Sequence, residues 1–270
     1  VPTLELGDVT LDYKVQGEGP PVLLVCGCGQ PAIAWELGVA PSLAGAGFQV
    51  VTFDNRGVAP SSSPPAPYTI DQMVGDALAL LDHLGIETAR LGGYSMGGWV
   101  AETICARHPD RVVAAALIGS CNESTSWEKA IGAVELDIAR SGVELPPRFY
   151  ATETMRYLPN SDLQEDATVD AWLEMIGDLE PWPNPGREGQ YAACLDWVLD
   201  PDRVSVWPGL TMPILVLAFE HDIDSPPARA RQAAARIPGA RIVEIPGASH
   251  LGPMTHAGAV ADELIAFFRS

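Results

Sequence analysis

Positive charge is what this chain has least of. Its 270 residues carry 16 Lys and Arg against 35 Asp and Glu, a formal net charge of −19, and nowhere do the basic residues gather into a cluster. A surface of that sign repels phosphates, which argues against nucleic acid and anionic membranes as partners. Long apolar runs are missing too, and none reaches the roughly 20 residues that span a bilayer. The sequence does not open on a charged segment followed by an apolar stretch, so no secretory leader and a cytoplasmic setting are expected. The five cysteines, Cys26, Cys28, Cys105, Cys121 and Cys194, are odd in number and lack metal-type spacing. Cys26-x-Cys28 is too tight for a zinc knuckle or a redox pair, so reduced thiols and no metal are expected. Internal repeats and low-complexity segments are absent as well.

What is present is a strong apolar fraction, 47%, enough for one large α/β domain with insertions or two small ones. Residues 2–16 alternate as two short strands around Gly7-Asp8, then break at Gly17–Pro21. Val22–Cys26 is a continuous apolar run, as expected of a strand buried on both faces. A glycine-rich loop, Gly27-Cys28-Gly29, follows, then a helix expected over 35–46 and a strand over 48–53. Thr69-x-x-Gln72 opens a helix with a capping box, and Ile70, Met73, Ala77, Leu80, Leu81 and Leu84 line its apolar face. Strands are expected at 88–92 and 111–118, with an Ala-rich helix between them that ends before Pro109. This alternation predicts a doubly wound, mostly parallel sheet flanked by helices.

The rhythm changes at about residue 121 and resumes near 212 with strand 213–219, helix 226–236, strand 241–245 and helix 257–268. The intervening segment, 121–211, holds 17 acidic against 6 basic residues. Thr125-x-x-Glu128 caps a helix closing at Gly142, with Trp127, Ile131, Val134 and Ile138 as its expected apolar side, and Trp172, Trp182, Trp197 and Trp207 follow. It reads as a helical cap inserted after the sixth strand, over a core built from 1–120 and 212–270.

Gly93-Tyr94-Ser95-Met96-Gly97 carries the chemistry. A Gly-x-Ser-x-Gly turn between a strand and a helix exposes the serine hydroxyl at the top of a sheet, because side chains at the flanking glycines would clash. The N–H of Met96 opens the helix and faces any charge developing on a substrate. The plainer alternative for Ser95 is a small residue at a helix N-terminus. A serine hydroxyl needs a base, and the base needs an orienting acid. The strand 213–219 is followed by Glu220-His221-Asp222-Ile223-Asp224, and the strand 241–245 by Pro246-Gly247-Ala248-Ser249-His250. Three carboxylates thus compete for the acid role, whereas His250 is the one histidine in the loop after the last strand. His83, His108 and His256 sit at or near helix ends, where capping or solvent exposure is their ordinary use; His221 reads as a solvated loop residue.

These motifs resemble the α/β-hydrolase fold, and the likeness covers all but the cap. Asp54-Asn55-Arg56-Gly57 is similar to that family's Asp-x-Arg-Gly turn. The resemblance implies an eight-stranded sheet, Ser95 as nucleophile, His250 as base and acid, and Asp222 rather than Asp224 or Glu220 as the orienting acid. It also implies a second oxyanion donor in the loop after the third strand. Family members often read His-Gly-x-Gly there, where this chain reads Cys26-Gly27-Cys28-Gly29, so Cys26 replaces the histidine and the donor is the backbone N–H of Cys28. Two further departures are Phe219 in place of a frequent glycine and Val58-Ala59-Pro60-Ser61 without a second glycine.

The expected activity is hydrolysis of a carboxylic ester or lactone without a cofactor, through an acyl-enzyme on Ser95. The expected partner is a small, apolar, uncharged substrate, held by Gly27 and Gly29 and by Trp127 and Trp172 of the cap. Alternatives with the same three residues are carbon–carbon bond hydrolysis, perhydrolysis of the haloperoxidase kind, and a binding or cyclase-like protein with a vestigial triad.

Overall fold

The computed structural model describes residues 2–177, 182 and 184–270. Eight strands, β1 (Thr3–Leu6), β2 (Val9–Gln16), β3 (Pro21–Val25), β4 (Gln49–Phe53), β5 (Ala89–Tyr94), β6 (Val112–Ile118), β7 (Ile214–Phe219) and β8 (Arg241–Ile245), form one sheet in the order β1-β2-β4-β3-β5-β6-β7-β8. The first hairpin is antiparallel and β2 joins β4 antiparallel; every pairing from β4 to β8 is parallel. The chain steps from β3 outward to β4, then crosses back to lay β5 on the other side of β3. The loops after β3 and β5 therefore diverge at neighbouring strand ends, the crevice where open α/β sheets bind ligands.

On one face lie α3 (Ile70–His83) and α4 (Met96–Arg107), with α9 (Pro227–Ala234) beside them; on the other lie α1 (Ile33–Glu36), α2 (Val39–Gly45) and α11 (Ala257–Arg269), with α10 (Gly252–Thr255) leading into α11. The capping box at Thr69 and Gln72 is formed, and Met73, Ala77, Leu80 and Leu81 of α3 are fully buried against the sheet. The single helix expected over 35–46 is instead two short ones. Pro41 has no N–H to return to the preceding turn, so it is accommodated only in the first turn of a new helix, and the chain breaks at Leu37-Gly38.

Between β6 and β7 the chain builds α5 (Ser126–Ser141), α6 (Pro147–Met155), α7 (Asp166–Gly177) and α8 (Asn184–Leu199). The capping box of α5 at Thr125 and Glu128 and its left-handed Gly142 end form as expected. Its apolar face does not. Gly132, Leu136 and Ala139 are the buried positions, while Trp127 and Val134 are 47% and 52% exposed. The reason is the neighbour: α5 packs on α8, and Gly132 lets Leu195 of α8 approach closely. Trp197 and Trp207 pack toward the α4 side of the sheet, Trp197 stacked on Trp99 and Trp207 fully buried.

Candidate active site

β5 ends and α4 begins on Ser95, whose backbone (φ 53°, ψ −125°) is the one non-glycine at positive φ among the described residues. Such a conformation costs on the order of 1–3 kcal/mol and persists only where the surroundings enforce it. They do so here by removing side chains. A Cβ on Gly93 would lie 2.2 Å from the Gly97 carbonyl oxygen, one on Gly97 2.2 Å from that of Val25, and one on Gly98 2.0 Å from Ser120 Oγ. The Ser95 N–H donates to the Ile118 carbonyl (2.9 Å), and Gly98 N–H donates to that of Ser95 (2.8 Å), so both flanks of the turn are tied. The hydroxyl is partly exposed while its neighbours are buried.

His250 follows β8 and brings Nε2 to 3.1 Å from Ser95 Oγ; its Nδ1 lies 2.8 Å from Asp222 Oδ2. The other oxygen of Asp222 accepts from the N–H groups of Asp224 (2.9 Å) and Ser225 (2.8 Å), so the carboxylate, whose side chain is fully buried, is held on both sides. Of the three competing carboxylates, Asp222 alone meets the imidazole. Asp224 accepts from Trp127 Nε1 (3.0 Å), and Glu220 accepts from the Gly247 N–H (2.7 Å). Burial of the His250 ring works against its charged form, but the adjacent Asp222 carboxylate outweighs it and holds the imidazole above the ordinary histidine range. Phe219, fully buried, fills the space beneath this loop. A Cβ on Gly252 would fall 2.2 Å from its ring, so the large residue after β7 is matched by a small one after β8.

The loop after β3 lies against the serine. A Cβ on Gly27 would sit 3.0 Å from Ser95 Cβ. Neither Cys28 N–H nor Met96 N–H donates to a described residue, which leaves both available to an oxyanion. Without the usual histidine, the loop is braced by the turn at 54–57. Asn55 Nδ2 donates to the Cys26 carbonyl (3.1 Å), and Asp54 Oδ1 accepts from Ala32 N–H (2.7 Å). Arg56 locks the turn through a bidentate pair with Asp76, both bonds 2.7 Å and both side chains 5% exposed. Burial raises Asp54 to about 6.

Helix α8 and Trp182, two residues before it, supply the rest of the brace. Gln190 Oε1 accepts from Gly29 N–H (2.6 Å), and its Nε2 donates to the Arg56 carbonyl (2.8 Å). Trp182 Nε1 donates to the Gly57 carbonyl (2.7 Å), and its ring lies where a Cβ on Gly29 would fall, at 2.6 Å. Gly29 itself has φ +67°, a second reason for glycine there. The loop after β3 and the turn at 54–57 are thus both tied to side chains from between β6 and β7.

Two tyrosines flank His250. Tyr94, in the second position of the Gly-x-Ser-x-Gly turn, donates its hydroxyl to the His250 carbonyl (2.7 Å), with its ring 5.2 Å from the imidazole. Tyr157, in the turn after α6, places its ring 5.3 Å from the imidazole on the cap side. Trp172 joins Tyr157 in an apolar cluster with Met155, Leu158, Val169, Leu173, Leu251 and Met254. Trp127 sits at the seam between α5 and the Asp224 loop, half-exposed. Sequence reasoning missed Asn55, Gln190, Trp182 and Tyr157; only Asn55 carried a signal, its place inside the Asp-x-Arg-Gly turn. No group of three or more potential metal ligands occurs among the described residues, and no described helix is long and apolar enough to cross a membrane.

Residues 20–140 match the family model for the alpha/beta hydrolase fold. The Mycobacterium tuberculosis protein named as the non-heme bromoperoxidase BpoC is 30% identical over 266 residues, covering 97% of this chain and 98% of that protein. Its crystal structure superposes with a TM-score of 0.87 over 96% of this chain and 95% of that one. The rhodomycin D methylesterase DnrP of Streptomyces peucetius is 27% identical, covering 87% of this chain and 86% of its own. The enol-lactonase structure from Burkholderia xenovorans superposes with a TM-score of 0.85 at 28% identity, with both chains fully covered. A near full-length relative, a matching family model and a shared sheet topology make this chain an enzyme of the α/β-hydrolase family.

Proposed function

We propose that the protein is a serine hydrolase that cleaves a carboxylic ester or lactone of a small, apolar, uncharged molecule. The observation that carries this reading is the continuous contact from Ser95 Oγ through His250 to Asp222, at 3.1 and 2.8 Å. Neutral His250 takes the proton of Ser95 as the oxygen attacks the carbonyl, and Asp222 stabilises the imidazolium that forms. The N–H groups of Cys28 and Met96 receive the oxyanion, a contribution of roughly 3–4 kcal/mol per donor in such sites. His250 then protonates the leaving alcohol, and water releases the acid from Ser95 by the same route. The apolar cluster around Tyr157 and Trp172 and the acidic side chains near His250 favour an uncharged substrate. The methylesterase and enol-lactonase names of two relatives support the ester or lactone class.

A second reading, peracid formation from an organic acid and peroxide, is favoured by the likeness to the protein named as a bromoperoxidase. Parallel assays separate the two: release of acid from short neutral esters and lactones, and peroxide-dependent bromination with acetate present. Ester or lactone turnover without bromination is the expected result. Bromination exceeding hydrolysis would favour the second reading. Tight ligand binding with no turnover, unchanged in Ser95→Ala, would mark a binding protein.

A further inference from the structure

The side chains from α6 and α7 that cluster with Leu251 beside His250 are mostly apolar. Tyr157 packs with Met155, Leu158, Trp172 and Leu251, and its ring stands 5.3 Å from the imidazole. Its phenol oxygen accepts a bond from Arg156 Nη2 (2.6 Å), and the Arg156 guanidinium also lies over the Tyr157 ring, 4.6 Å from its centroid. Arg156 in turn is paired with Glu135 (2.9 Å) and with Glu153. The phenol therefore accepts a bond from a cation while its own proton goes to no described residue. An O–H polarised in this way is a stronger donor than a free one.

Its place relative to the chemistry follows from His250. In the proposed mechanism Nε2 faces Ser95 and must next protonate the leaving oxygen, so the leaving group lies beside the imidazole, on the side away from the Cys28 and Met96 donors. Tyr157 is the described polar side chain from between β6 and β7 whose ring packs against the imidazole. We infer that Tyr157 is a substrate-binding residue whose hydroxyl donates to an uncharged oxygen (ether, hydroxyl or carbonyl) on the alcohol side of the scissile bond. This rests on the hydrolase reading. An anionic acceptor fits poorly. Arg156 is already paired with two carboxylates, and Asp222 and Asp224 add negative charge around His250. The leaving group is then mostly apolar, matching the surrounding side chains, with one oxygen acceptor.

The test uses three esters of one acid that differ only in the alcohol: n-butyl, 2-methoxyethyl, its near-isostere with an ether oxygen, and 3-carboxypropyl. One neutral hydrogen bond predicts a roughly three- to tenfold higher kcat/KM for 2-methoxyethyl over n-butyl hexanoate. In Tyr157→Phe that ratio should fall to about one, and the 3-carboxypropyl ester should be slowest in both proteins. A parent enzyme without the preference, a Tyr157→Phe variant that slows both neutral esters by one common factor, or a preference for the carboxylate would each overturn the inference. The parent's own ratio needs no variant to fold. Labelling of Ser95 by a fluorophosphonate, run alongside, separates the failures. Labelled Ser95 with no ester preference sinks only the Tyr157 assignment. No labelling and no ester cleavage sinks the hydrolase reading and the assignment with it.

Discussion

The floor and the roof of this site are held together by different means. The floor is backbone against backbone: Gly93 and Gly97 admit no side chain, and Ser95 is forced to positive φ by what surrounds it. The roof is side chain against backbone, with Gln190 and Trp182 reaching down to Gly29, Arg56 and Gly57, and Tyr157 resting on His250. The first kind of constraint cannot relax, whereas the second can be removed one bond at a time. Substitutions in the floor should therefore abolish activity or folding, and substitutions in the roof should weaken both by degrees.

The largest effect is expected at Ser95. Ser95→Ala should lower kcat on any cleaved ester by on the order of 10⁴-fold or more while leaving the melting temperature near that of the parent, since alanine keeps the Cβ and the backbone of the turn. Next is Gly97→Ala, whose methyl would overlap the Val25 and Cys26 carbonyls at 2.2 and 2.6 Å. A clash of backbone with Cβ should cost about 3 kcal/mol or more in chemical denaturation. Gln190→Ala tests the roof. It strands the part-buried Gly29 N–H and the buried Arg56 carbonyl, the latter worth about 1–3 kcal/mol. We expect a loss of stability in that range together with a lowered kcat, because the loop after β3 loses its brace; loss of stability with kcat intact would show that α8 does not organise the loop.

The pH dependence follows from the His250–Asp222 pair. The imidazole pKa is raised in the folded enzyme, so the ion pair's stabilisation is complete below the ordinary histidine value of about 6.5 and is lost as pH rises through the higher folded value. Catalysis needs the neutral ring and should rise over the same interval. A kcat/KM profile with its acid limb above about pH 6.5, accompanied by a falling melting temperature, is the expected pattern, and Asp222→Asn should move the limb down. The smallest effect is expected at Trp127, which is half-exposed at the cap seam. Trp127→Phe should change stability by less than about 0.5 kcal/mol and leave the ester preference alone.

The contrast between floor and roof also explains what could be read from the sequence. Ser95, Asp222 and His250 each stand past the end of a parallel strand, and β7, buried along its whole length, announces itself as an apolar run. Gly93 and Gly97 are visible because a glycine constraint is local. The division into α3, α4 and the intervening strands follows from capping boxes and 3.6-residue periodicity, and the one helix misjudged in the core turned on Pro41. The roof offered no such handle. The inner face of α5 is set by its packing on α8, so Trp127 and Val134 point out while Gly132, Leu136 and Ala139 point in. Gln190 and Trp182 act through bonds spanning 161 and 125 residues of sequence, to backbone atoms that any residue type would present. Cys26 shows the same limit: the missing histidine was legible, but the bond from Gln190 of α8 to Gly29 was not.

The central claim is that Ser95 is an activated nucleophile, and covalent labelling tests it most directly. The protein is treated with a fluorophosphonate, its intact mass is measured, and the adduct is mapped by peptide sequencing. A single adduct on Ser95 that is lost in His250→Ala is the predicted result; a folded protein that takes no adduct, or takes it at another residue, would contradict it.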